Sequence, residues 1–218
     1  MRHRFPTLAT ICLISLGLTS LVHAQERVDG VDNWDFDVYL NDKKVGKHSF
    51  KVSEVDGVKQ VQSEASFTVK IFFITTYRYE HSATERWIDN CLLEFDGKTN
   101  SNGKRISISG EQTGGSFVIE TGDKPIELPK CVMTFAYWNS EFLKQPSLLN
   151  PQTGDYVDIL VEKVGDEMLY VRGRAVPTTR FKLTAEKVDL TLWYSLDDEW
   201  LVLESVAKGG QIIRYELS

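Results

Sequence analysis

The sequence predicts an all-β fold: an antiparallel meander forming a barrel or a strongly curved half-barrel, with one short helical segment near residues 135–145. Three observations carry that prediction. From Asn33 onward apolar and polar residues alternate with a period of two, which places successive side chains on opposite faces of a strand. Dipeptides of Gly, Asn and Asp recur between the alternating runs at hairpin spacing. No stretch carries a helical period long enough for a crossover helix, so turns must join the strands and neighbours must run antiparallel. Roughly a dozen strands in a flat sheet would leave long unpaired edges, which favours closure or deep curvature.

Ahead of the strands lies a different kind of segment. Arg2 and Arg4 precede an apolar run from Leu8 to Leu21, and Val22-His23-Ala24 supplies a small-x-Ala end before Gln25. This pattern is that of a secretory signal, so residues 1–24 are expected to be cleaved and residues 25–218 to form a single exported all-β domain. The run is short for a membrane span, and no transmembrane anchor is expected after cleavage. Removing it leaves 23 basic against 31 acidic side chains, a surface poorly suited to nucleic acid.

The first strand alternates Trp34, Phe36, Val38 and Leu40 with Asp35, Asp37 and Tyr39. Next, Phe67, Val69, Ile71, Phe73, Tyr77 and Tyr79 share one parity, against Thr68, Lys70, Thr76, Arg78 and Glu80 on the other. The pattern reaches back through Ala65 to Val61, as one long bent strand or two strands meeting near Ile71. Phe72 and Ile74 make both faces apolar at residues 71–74, by burial on both sides or as an exposed patch for a partner. Turns are expected at Asp56-Gly57, Asp96-Gly97, Asn102-Gly103, Gly114-Gly115 and Gly209-Gly210. Between Thr134 and Leu149, Phe135, Trp138, Phe142 and Leu143 approach helical spacing, with Asn139 as a cap and Pro146 as a stop. Asn150 to Gly154 then form a turn into a second group of strands. Their apolar positions are Val157, Ile159 and Val161; Leu169 and Val171; Phe181 and Leu183; Val188, Leu190, Leu192 and Tyr194; and Ile213, Tyr215 and Leu217.

Motifs that would force a reaction are absent from this sequence. Cys12 leaves with the leader, and Cys91 and Cys131 remain; an even pair in an exported chain predicts a disulfide over two free thiols, with no CxxC for redox catalysis. Closing that loop would be worth about 4 kcal/mol on the chain-entropy model. Gly97 to Lys104 superficially suggests a phosphate loop, but its spacing is wrong and strands flank it, so it reads as a hairpin tip. Asp29, Asp32, Asp35 and Asp37 lack calcium-loop spacing, and no HExxH or Cys/His cluster supports a metal. Neither a cofactor nor a catalytic residue is assigned. His48 shares a face with Phe50 and Val52, and His81 continues the face of Tyr79, so both approach the interior. There is no GxSxG elbow to pair with them.

The leader, the cysteine pair, Phe135-Ala136-Tyr137-Trp138-Asn139, Leu148-Leu149-Asn150-Pro151-Gln152-Thr153-Gly154 and Leu192-Trp193-Tyr194-Ser195 together resemble a family of exported proteobacterial proteins of unknown function, akin to periplasmic families with YmcC-like β-barrel folds. The resemblance implies a bacterial periplasm and an antiparallel barrel, and carries no reaction. The expected function is a non-enzymatic binding protein for an apolar or lipid-like ligand or an envelope partner. Its expected walls are Phe67, Phe73, Tyr77, Tyr79, Trp138, His48 and His81. The alternatives are a hydrolase using His48 or His81, or a purely structural or interaction module.

Overall fold

The computed structural model describes residues 28–71, 74–122, 124–207 and 209–218; the expected leader, Phe72 and Phe73 lie outside them. Among the described residues, fourteen strands form two meanders. The N-terminal meander comprises β1 (Val28–Leu40), β2 (Lys43–Val55), β3 (Val58–Ile71), β4 (Ile74–Ile88), β5 (Cys91–Ser101), β6 (Lys104–Thr113), β7 (Ser116–Glu120) and β8 (Ile126–Pro129). The C-terminal meander comprises β9 (Ser147–Leu149), β10 (Tyr156–Val171), β11 (Arg174–Ala185), β12 (Val188–Ser195), β13 (Trp200–Val206) and β14 (Ile212–Leu217).

Each strand pairs antiparallel with the next within its meander, and β1 pairs with β14 through Phe36↔Leu217 and Val38↔Tyr215. One sheet of fourteen strands results, with β8 and β9 as its two edges, so the barrel is open. The sheet is nevertheless rolled: Phe36 from β1, Phe117 from β7 and Leu183 from β11 belong to one buried core. The segment between β8 and β9 bridges β5 to β9. It is tied to the N-terminal meander by the Cys91–Cys131 disulfide and by Leu92 N donating to Val132 O at 3.0 Å. On the other side, Leu149 N donates to Met133 O at 2.8 Å and Thr134 forms a parallel bridge with Leu149.

Most local expectations appear in the fold, with instructive differences. Strands β3 and β4 are two strands meeting near Ile71, in register through Ile71↔Ile74. The helical segment is a single 3₁₀ turn, Ser140–Lys144, with Asn139 Oδ1 accepting from Glu141 N at 3.1 Å; residues 135–139 are not helical. Asp96-Gly97 is not a turn. Gly97 lies inside β5, where a Cβ would come within 2.5 Å of the Phe95 ring, so the glycine serves close packing instead of chain reversal. The apolar groups at 157–161 and 169–171 are one strand, β10, with a register shift between Lys163 and Gly165. Strand β13 has no alternation to announce it, because Trp200, Leu201, Val202 and Leu203 are all buried.

Candidate functional site

A cavity of about 370 Å³ lies inside the curve of the sheet. Its geometry follows from the register of β2–β5. Residues directly opposite in antiparallel strands share a face, and His48↔Ala65↔His81↔Thr99 form one row across four strands. The adjacent row is Phe50↔Ser63↔Ala83↔Gly97. Small side chains at Ser63 and Ala83 hollow this wall, and both line the cavity. The lining also includes Val188, Leu190, Leu203 and Ile213 of the C-terminal meander and Phe135, Tyr137 and Trp138 of the connecting segment.

Six of the seven residues expected as ligand walls line this cavity: His48, Phe67, Tyr77, Tyr79, His81 and Trp138. The seventh, Phe73, lies outside the described residues. Phe67 and Tyr79 stack with ring centroids 5.1 Å apart, and Trp138 packs edge-on against Trp87 at 5.6 Å. Tyr77 is the exposed member; its hydroxyl hydrogen-bonds with the Ser101 hydroxyl at 2.9 Å.

The polar groups of the wall are held in neutral surroundings. His48 Nε2 hydrogen-bonds with Ser63 Oγ at 2.8 Å, and His81 Nδ1 with Thr99 Oγ1 at 2.9 Å. Burial, assisted for His48 by the neighbouring His81, lowers the His48 pKa to about 3. Burial likewise takes His81 to about 4, against the opposing effect of a main-chain hydrogen bond at Lys98. Both imidazoles are therefore uncharged near neutrality. Burial pushes the Tyr79 phenol well above its usual range, so it keeps its proton. His48 Nδ1 and Tyr79 Oη are sealed from solvent and have no hydrogen-bond partner among the described residues.

Glu85, on the same inward parity of β4, is the member that the sequence reading missed. Its carboxylate accepts from Trp87 Nε1 at 2.9 Å and from Thr134 Oγ1 at 3.1 Å, which fastens the connecting segment to β4. Burial raises its pKa to about 7, although both hydrogen bonds favour the charged form. The available signal was parity: His81, Ala83, Glu85 and Trp87 continue the face that starts at Tyr79.

A larger groove, about 660 Å³, lies over the opposite face of β2–β6. Its walls include Lys47, Glu64, Glu80, Lys98 and Arg105, exposed side chains of both signs, so the interior cavity is the candidate site. Among the described residues, no three His, Cys, Asp or Glu side chains converge as metal ligands, and no helix is long and apolar enough to cross a membrane.

Fold and site together define an open, barrel-like all-β protein with a mixed polar and apolar interior. The chain belongs to the family described as domain of unknown function DUF6134, whose model matches residues 36–218. Its structure is similar to the crystal structure of a beta-barrel-like protein of domain of unknown function DUF1849 from Brucella abortus. The TM-score is 0.63 with 8% identity, over 85% of this chain and 94% of that one, a likeness of fold alone. No curated protein matches the chain. A family of unknown function with a barrel-like fold was the expectation, and both parts are found.

Proposed function

We propose that this chain is a non-enzymatic binding protein that holds an apolar or lipid-like ligand inside its curved sheet, and that it works after export, in a bacterial periplasm. The observation that supports this reading is the cavity of about 370 Å³ with an apolar wall of Val188, Leu190, Leu203 and Ile213. A ligand pocket is typically a largely pre-formed, mostly apolar concavity with few polar groups, and this volume falls at the small end of that class.

Titration with N-phenyl-1-naphthylamine, whose emission rises in apolar surroundings, tests the reading. Saturable enhancement is expected, and it should disappear in Ala83→Trp, which fills the hollow. Unchanged binding in a folded Ala83→Trp protein would place the dye elsewhere and defeat the proposal. Export is tested separately by the N-terminus of the protein recovered from its native host, which should begin at Gln25.

The Ser63–His48 hydrogen bond favours a hydrolase. It supplies a hydroxyl beside an imidazole, but His48 Nδ1 has no acid to orient it, and a base with pKa about 3 holds a proton poorly near neutrality. Hydrolysis of a short acyl ester that vanishes in Ser63→Ala would favour the enzyme over the carrier.

A further inference from the structure

The cavity is chemically two-sided, and the polar side is incomplete. His48 and Tyr79 are each more than nine-tenths buried or at that limit, with 8% and 9% of their surface exposed. His48 Nδ1 and Tyr79 Oη nevertheless have no partner, and a buried polar atom left unpaired is destabilising unless something completes it. The third such atom, Asp37 Oδ1, is explained differently: its carboxylate is already paired with Lys44 at 2.5 Å. The two cavity atoms have no comparable account among the described residues.

Charge narrows what can complete them. The charged or chargeable acid and base side chains of the lining, besides the two histidines, are Glu85 and Lys187. Lys187 is exposed and its amine pairs with Glu186 at 2.9 Å, so it offers no buried cation to a carboxylate or phosphate. Glu85 is already engaged by Trp87 and Thr134, so it offers no dedicated partner to an ammonium group. A charged head group would lose its hydration here without gaining a counter-ion, whereas a hydroxyl or carbonyl would lose less and could hydrogen-bond with either atom.

We infer that the ligand of this cavity is an uncharged amphiphile, with a hydroxyl or carbonyl head group set against the His48 and Tyr79 wall and an apolar body against Val188, Leu190, Leu203 and Ile213. The inference rests on the carrier reading above and specifies its ligand class. Because both atoms are sealed from solvent, the two rings must turn toward the head group as it enters. Phe67, stacked on Tyr79, and Phe50, with its ring centroid 4.2 Å from that of His48, are the neighbours that such a turn would disturb.

A matched series of soluble probes distinguishes the outcomes: butylbenzene, 4-phenyl-1-butanol, 4-phenylbutyrate and 4-phenylbutylamine, competed against N-phenyl-1-naphthylamine on the wild-type protein at pH 7.5. The alcohol is expected to bind about tenfold more tightly than the other three, the effect of one good neutral hydrogen bond. Tyr79→Phe or His48→Leu should remove the advantage of the alcohol over butylbenzene measured on the same variant. If the butyrate or the amine binds as well as the alcohol, or butylbenzene does, the head-group assignment is wrong while the carrier reading stands. If no member binds, butylbenzene included, the carrier reading itself fails. The wild-type series decides even if neither variant folds.

Discussion

The two meanders follow the same antiparallel plan but bury different chemistry. Of the seven buried polar side chains among the described residues, five (His48, Ser63, His81, Glu85 and Thr99) lie on β2–β5. The C-terminal meander contributes only Thr178, whose hydroxyl donates to Glu167 O at 2.8 Å. Instead, β12 and β13 bury apolar side chains on both faces, with Leu192 opposite Leu203 and Trp193 opposite Val202. On the Trp193 side, the Arg214 guanidinium lies 5.7 Å from the indole centroid, and the indole N–H donates to Glu167 at 2.7 Å. Burying polar groups costs desolvation that burying Leu and Trp does not. The C-terminal wall can thus anchor the sheet while the N-terminal wall carries the groups suited to recognition.

The largest expected effect tests the anchoring half. Trp200 is 1% exposed, and its ring centroid lies 4.0 Å from that of Phe36 and 5.0 Å from that of Tyr137, so it joins both meanders and the connecting segment. Trp200→Ala should cost about 3–5 kcal/mol in urea unfolding. A loss below about 1 kcal/mol would show that this wall is not the anchor.

Removing the disulfide should come next. The double variant Cys91→Ser with Cys131→Ser is expected to lose about 2–4 kcal/mol. Hydrogen exchange should locate the loosening in residues 131–139, the connecting segment, with β12 and β13 still protected. Equal loss of protection in both regions would erase the distinction between them.

Titration should distinguish the halves by about 1–3 kcal/mol. Glu85 has its pKa raised from 4.5 to about 7, so its contribution is complete below pH 4.5 and is lost as pH rises through 7. The histidines act in the opposite sense: lowered from 6.5 to about 3 and about 4, they favour the fold above pH 6.5 and cease to do so as pH falls. Glu85→Gln should flatten the decline between pH 5 and 8, and His81→Gln should flatten part of the loss on the acid side. Chemical denaturation across that range reads both, and an unchanged slope in Glu85→Gln would mean that the carboxyl is not the group titrating.

The smallest effect is local. Asn139→Ala removes the acceptor for Glu141 N and should cost about 0.5–1 kcal/mol, read as a small shift of the thermal midpoint. A much larger loss would assign the 3₁₀ turn a role in holding the connecting segment closed.

Parity along single strands makes much of the site legible in the sequence. His48, Phe67, Tyr79 and His81 were placed inward by alternation alone, and all four are buried. Where local rules failed, the cause lay in contacts distant in sequence or in unusual backbone. Asp96-Gly97 has the composition of a turn, yet the Phe95 ring and the Pro151 carbonyl occupy the space over Gly97. The hairpin turns at Arg172 and Lys187 use positive φ values of 50° and 62° at residues that rarely announce such turns. Ser63 and Ala83 reveal a hollow only when the register sets them side by side.

By itself the sequence determined the strand periodicity, the turns at Asp56-Gly57, Asn102-Gly103, Gly114-Gly115 and Gly209-Gly210, the Asn139 cap and the inward placement of the histidines. These depend on the side-chain period of a strand and on backbone preferences within a few residues. Tertiary structure alone decided that β1 would meet β14, that β8 and β9 would stay unpaired as edges, and that residues of both meanders would line one cavity. Those outcomes depend on which distant strands pair and in what register, and alternation within a strand is the same whichever neighbour it acquires.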